Sequence, residues 1–236
     1  MVELWEWNAK LGKTYRLDLL VSVCTSRDVA DAGEAAARHL KRLHDAGVDA
    51  LIKAHAESWK SRWQAVGVQV DGDEQAQGAL RFATYHLIGT ANPEDECTSI
   101  GARALTGPAY KGHAFWDTEI YMLPFYVFTQ PPAARALLMY RHNTPSAARH
   151  KARDLGYRGA LFAWESTDTG EEATPAFALA PDGEIVRIVS GEQEHHISAG
   201  ITYAIWQYWQ CTGEHRLFLM GSSRISSARA WLMAQR

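Results

Sequence analysis

Two of the runs in this chain that set an indole directly before a carboxylate lie in loop-rich stretches: Trp116-Asp117 within GHAFWDTE and Trp164-Glu165 within FAWES. A broad ring can stack on the apolar face of a pyranose, while the neighbouring carboxylate accepts two hydroxyl hydrogen bonds. An acid buried without partners is costly, so a core is a poor place for such a couple. Each couple also has a plainer explanation. Asp117 could cap a helix over 117–129 while Trp116 fills the core, and Trp164-Glu165 could anchor a loop with its acid exposed. His113, between Gly112 and Ala114, suits either packing or contact with a sugar.

His195-His196 could hold a metal or an anion, but adjacent helical residues point about 100° apart and cannot easily chelate one ion. No further ligands stand at metal spacing. Cys24, Cys97 and Cys211 are widely separated and odd in number, which offers neither a disulfide framework nor a paired ligand set. Walker loop, dinucleotide fingerprint, G-x-S-x-G elbow and HExxH are all absent from the sequence. No cofactor is expected.

Elements must position these residues. KTYRLDLLVSVCT at 13–25 reads as a strand, with LWEW at 4–7 as a second extended piece. Asp31 is placed to cap a helix through EAAARHLKRLHDA that stops at Gly47. Leu51, Ile52, His55, Trp59 and Trp63 recur at near-helical spacing over 48–65. Residues 74–90 are apolar on more than one side and predict a broadly buried helix.

Residues 91–115 and 156–193 are loop-rich, the second holding a turn and short strand at PDGEIVRIV. Helices are expected at 117–129, 132–142, 145–155 with Pro145 in its first turn, and 194–211, where Ile197, Ile201, Ile205 and Tyr208 or Trp209 form a stripe. A last helix is expected at 217–235. Loops this long in a mainly α chain are usually functional.

The 236 residues suffice for one large domain or two small ones, and the near-average composition argues against extensive disorder. A net charge of −3 without like-charge blocks argues against a dedicated nucleic-acid or anionic-membrane partner. No run has the length of a membrane span and residues 1–25 lack a secretory pattern, so a cytoplasmic protein is expected. Nine Trp and nine Tyr are compatible with a sugar site, although packing accounts for most aromatics.

KGHAFWDTEIYMLPF at 111–125, FAWESTDTGEEATP at 162–175 and EHHISAGITYAIWQYWQCTG at 194–213 together resemble the central catalytic domain of glycoside hydrolase family 65. The resemblance runs through nearly the whole chain. That family includes phosphorylases of maltose, trehalose, kojibiose and nigerose, and some hydrolases such as acid trehalases. The resemblance implies a mainly α fold containing a partial (α/α)6 barrel. Residues 1–25 correspond to the end of an N-terminal β-sandwich, 26–70 to a helical linker and 71–236 to the first part of the barrel.

It further implies that Trp116 and Asp117 bind the glucosyl unit of an α-linked disaccharide, with Trp164 and Glu165 as the second motif's counterpart. Inorganic phosphate is the co-substrate in an inverting phosphorylase of this family, attacking opposite a carboxylic acid that protonates the glycosidic oxygen. Phosphate thereby replaces the second carboxylate that an inverting hydrolase needs. In the family the acid lies in a later motif, with no counterpart before Arg236, so the isolated 236 residues are expected to turn over little substrate.

Two departures stand out: Gly200 where the family usually has Asp, and Ala163 where Pro commonly precedes the second Trp-Glu. Together with an unusual closing GSSRISSARAWLMAQR, they point to a partial or decaying coding sequence, so the alternatives to a phosphorylase are a trehalase-like hydrolase of the same family and a non-catalytic helical remnant that binds sugar weakly or serves only in assembly. Uncovered apolar helix faces in a partial barrel predict aggregation or dimerisation, the latter as a homodimer.

Overall fold

The computed structural model describes residues 4–107 and 109–215. The expected helix at 217–235 lies outside the described residues. The chain divides into two units, residues 1–64 and 65–236.

In the first unit, α1 (Ala32–Ala46) starts where Asp31 accepts a hydrogen bond from the Glu34 N–H at 2.9 Å. It stops at Gly47, whose φ of +82° favours glycine. None of its residues is buried. The second helix, α2 (Val48–Val66), lines up the rings of His55, Trp59 and Trp63 with centroids 6.2 and 6.4 Å apart along one face.

The strand expected at 13–25 does not form, nor does LWEW pair. Both stretches lack ladder partners among the described residues. Leu17, Leu19, Val21 and Val23 alternate as a strand's one face would, yet all four are exposed. Alternation supplies a face, but a strand needs a neighbour to hydrogen-bond.

The second unit opens with α3 (Glu74–Thr90), capped by Asp73 accepting from the Ala76 N–H at 2.9 Å. It is not buried broadly, as its composition had implied. Only Thr84 and Ile88 are buried, while Phe82 and Tyr85 are exposed and meet the His86 ring edge-on. The core lies between α4 (Leu123–Thr129), α5 (Pro131–Asn143) and α8 (His196–Thr212), which pack on one another. Ile197, Ile201, Ile205 and Tyr208 of α8 form its buried stripe, as their spacing predicts. Tyr126 ties α4 to α3 by donating its hydroxyl to the Leu87 carbonyl at 2.7 Å.

Between α5 and α8 come α6 (Pro145–Asp154), begun by Pro145, and a short α7 (Ser190–Gln193). The loops supply two small antiparallel ladders. β1 (Ala114–Phe115) pairs with β2 (Glu165–Ser166), and β3 (Phe177–Leu179) pairs with β4 (Ile185–Arg187) across the turn at Pro181-Asp182-Gly183. The chain is mainly α, as expected.

The helix expected over 117–129 has two parts. Thr118–Met122 is a π-turn, and α4 follows it. Gly200 also acquires a reason. A Cβ there would stand 3.3 Å from Ile120 Cδ1, so glycine lets α8 approach the π-turn closely. That packing offsets the roughly 1 kcal/mol that a mid-helix glycine costs relative to alanine.

Candidate functional site

The β1–β2 ladder is only two residues long on each side, but it joins the two motifs that hold the candidate site residues. Its register sets Ala114 opposite Ser166 and Phe115 opposite Glu165. The two residues flanking it, Trp116 and Trp164, come together with ring centroids 5.9 Å apart and planes at 51°. His113, on the other flank, reaches Glu165, its Nδ1 lying 2.7 Å from Oε1. A stretch of 52 residues of sequence separates that last pair. Four of the five residues singled out above therefore form two cross-ladder contacts.

Both indoles are half-buried and pack against the core with their inner edges. The Trp116 Nε1–H is turned inward, shielded from solvent and without an acceptor among the described residues. Glu165 is buried, and its carboxylate is bonded to His113.

Asp117 stands apart. It is exposed and makes no cap bond to the helix that follows, so the capping explanation fails. The physical reason is local. Asp117 already has helical backbone angles, φ −55° and ψ −33°, whereas a capping residue adopts an extended conformation to fold its side chain back onto the N–H groups. Although exposed, the carboxyl is pushed above its ordinary pKa by the partial desolvation its neighbours impose.

Two further aromatics join Trp116. The His196 ring meets it edge-on with centroids 4.6 Å apart, and the Tyr121 ring lies 6.0 Å away. Sequence reasoning missed Tyr121 because its spacing from Trp116 is five, which an α-helix puts off the face. A π-turn has i→i+5 bonding, and such turns frequently mark functional sites. His196 was read only as a candidate metal or anion ligand. In the structure it turns to Trp116 and Glu194, whereas His195 turns to the Tyr157 ring, so the two imidazoles diverge.

A buried polar scaffold supports the ladder. Arg141 on α5 donates from Nε and Nη2 to the two Glu119 oxygens at 2.7 and 3.1 Å, with both side chains 1% exposed. Burial alone would lower the guanidinium's pKa, but the Glu119 carboxylate outweighs it and holds the cation above its ordinary value. Arg141 Nη1 also donates to Ser166 Oγ at 3.3 Å, and Ser166 donates to the Ala114 carbonyl at 3.3 Å across the ladder. The Tyr140 hydroxyl lies 2.8 Å from the same Ser166 Oγ.

On the other side, Glu172 accepts from Lys151 Nζ at 2.6 Å and from the Trp164 N–H at 3.0 Å. These contacts join residues from 8 to 52 positions apart and leave no periodic trace in the sequence. No group of three or more His, Cys, Asp or Glu among the described residues is arranged to hold a metal ion.

The model of the glycosyl hydrolase family 65 central catalytic domain matches residues 81–232, and that of the family's N-terminal domain matches 2–62. A kojibiose phosphorylase of Thermoanaerobacter brockii is 40% identical over 98% of this chain, and a kojibiose hydrolase of Flavobacterium johnsoniae is 38% identical over 87%. The chain spans 30% of the Thermoanaerobacter protein and 28% of the Flavobacterium protein. A solved human-microbiome structure assigned as a kojibiose phosphorylase superposes with a TM-score of 0.68 at 30% identity, covering 78% of this chain and 25% of that one. With its central catalytic-domain match extending over the ladder, the indole pair and α8, the chain belongs to glycosyl hydrolase family 65.

Proposed function

We propose that this chain supplies the glucosyl-binding wall of an inverting α-glucosyl disaccharide phosphorylase, with a kojibiose-like disaccharide and inorganic phosphate as substrates. One observation carries the reading: Trp116 and Trp164 meet at 5.9 Å beside an exposed Asp117. The indoles give a ring platform, Asp117 accepts sugar hydroxyls, and the His113–Glu165 pair presents a second polar rim. The helices around them form part of an (α/α)6 barrel, residues 1–25 belong to the end of a β-sandwich and 26–70 to a linker.

The general acid is none of these five residues. Sugar binding by these residues does not depend on that acid. Cytoplasmic location and homodimer formation belong to the same reading. Among the described residues, no helix is long and apolar enough to cross a membrane.

The test is a titration of kojibiose and glucose against tryptophan fluorescence. Saturable quenching in the wild type that Trp116→Phe retains in part and Trp116→Ala loses supports the platform. Identical titrations in all three contradict it.

A hydrolytic reading has a specific basis in the 38% identical kojibiose hydrolase. Sugar release by a protein containing this chain together with the remaining barrel separates the two. A phosphorylase needs phosphate and yields β-glucose 1-phosphate, whereas a hydrolase yields glucose whether or not phosphate is present.

A further inference from the structure

A cleft of about 470 Å³ lies between α6, the 171–176 loop and α7, lined in part by His150, Lys151, Glu172, Thr174 and Glu192. Glu172 lines this cleft and bonds to the 164–165 backbone, and its bonding is unusually complete. Oε2 accepts from Lys151 Nζ at 2.6 Å and from the Trp164 N–H at 3.0 Å. Oε1 accepts from the Thr174 hydroxyl at 2.6 Å, and from the N–H groups of Glu165 and Thr174, each at 3.3 Å.

One side chain thus holds the backbone N–H groups of both residues of the second indole–acid couple. Lys151 completes the clamp by donating to the Phe162 carbonyl at 3.2 Å. The Glu165 carbonyl accepts the Ala173 N–H at 2.8 Å, so the two segments are tied in both directions. Gly191 closes over the clamp from the far side. A Cβ at that position would stand 3.1 Å from Glu172 Cδ.

We propose that Glu172 is a positioning residue for Trp164 and Glu165: its carboxylate, neutralised by Lys151, fixes the backbone that sets the Trp164 ring against Trp116 and the Glu165 carboxylate against His113. Its effect on sugar rests on the glucosyl-binding reading above, but its effect on the ring pair does not. An ionised carboxylate suits this task because it presents acceptors on both oxygens and no donor. Glutamine keeps the shape but turns an NH2 toward N–H donors, which leaves at least one of them without an acceptor. Neighbouring Glu171 is exposed and makes none of these bonds, so it serves as the control.

The test has two arms. Indoles 5.9 Å apart couple excitonically, and the wild-type minus Trp164→Phe difference in far-ultraviolet circular dichroism isolates that contribution. Glu172→Gln is expected to lose it while still melting cooperatively, Lys151→Met to lose part of it, and Glu171→Gln to keep it. If Glu172→Gln fails to fold, Lys151→Met against Glu171→Gln decides. A full couplet in whichever of the first two variants folds overturns the proposal.

In the second arm, kojibiose affinity is expected to fall about tenfold or more in Glu172→Gln, in line with the loss of charge-assisted bonds. Absence of kojibiose binding in the wild type defeats the glucosyl reading and leaves the ring-pair measurement to judge Glu172 by itself.

Discussion

The two indole–carboxylate couples look alike in sequence and are built differently. Glu165 is buried, bonded to His113, and its backbone is gripped by Glu172. Asp117 is exposed and takes no part in capping. One acid belongs to the scaffold of the site as well as its surface, and the other is free to meet a ligand. A shared dipeptide therefore fixes a side-chain inventory but not a role. Role depends on which neighbours the fold brings to each carboxylate.

The largest expected effect lies beneath both couples. Arg141→Met leaves Glu119 buried without its cation, and breaking a buried pair by removing one partner costs about 3–5 kcal/mol. Denaturant melts of the purified variant measure it. A loss below about 1 kcal/mol would mean that the ladder does not depend on this pair.

Next comes the direct contrast between the acids. Glu165→Gln is expected to lower stability by about 1–3 kcal/mol, because a charged hydrogen bond inside the protein is weakened. Asp117→Asn is expected to leave stability within about 0.5 kcal/mol, as an exposed substitution should. Equal melting shifts for the two variants would erase the distinction.

Acid titration sharpens it further. Burial alone would raise the Glu172 carboxyl, but bonds from Lys151, Thr174 and the Trp164 N–H, together with the Lys151 charge, hold it below its ordinary 4.5. A carboxyl whose folded pKa is depressed stabilises the fold fully above its unfolded value. That contribution is lost as pH falls through the lower folded value. Stability should therefore drop on acidification below about pH 4.5, and Glu172→Gln should flatten this limb of the melting curve. The sign is opposite for Asp117, whose raised carboxyl favours the folded state less as pH rises past the ordinary aspartate range.

The smallest effect compares Asp117 with an acid that does cap. Asp73→Ala should cost about 1 kcal/mol through loss of its bond to the Ala76 N–H. Asp117→Ala should cost less in the same assay.

Much of the helical framework was legible because helices announce themselves locally. Asp31 and Gly47 bracket α1, Pro145 opens α6, and the isoleucine stripe of α8 points inward. Of the candidate site, the residue types were legible, and four of the five named residues come together in pairs. Its construction was not. The ladder pairs Phe115 with Glu165, Arg141 reaches back to Glu119, and Glu172 reaches across the 164–165 backbone, all without a period to betray them. Local pattern also misled at 13–25, where alternation is present but no pairing neighbour stands among the described residues. At 117–129, a π-turn replaced the first turn of an expected helix and brought Tyr121 beside Trp116.

The central claim is that a glucose ring is held between the indole pair and the free acid at Asp117. Calorimetric titration of kojibiose into the wild type and into Asp117→Asn, with melting curves recorded for both, addresses it most directly. The account predicts saturable binding by the wild type and about tenfold or greater weakening in the variant at an unchanged melting temperature. Equal affinity in the two proteins would contradict it.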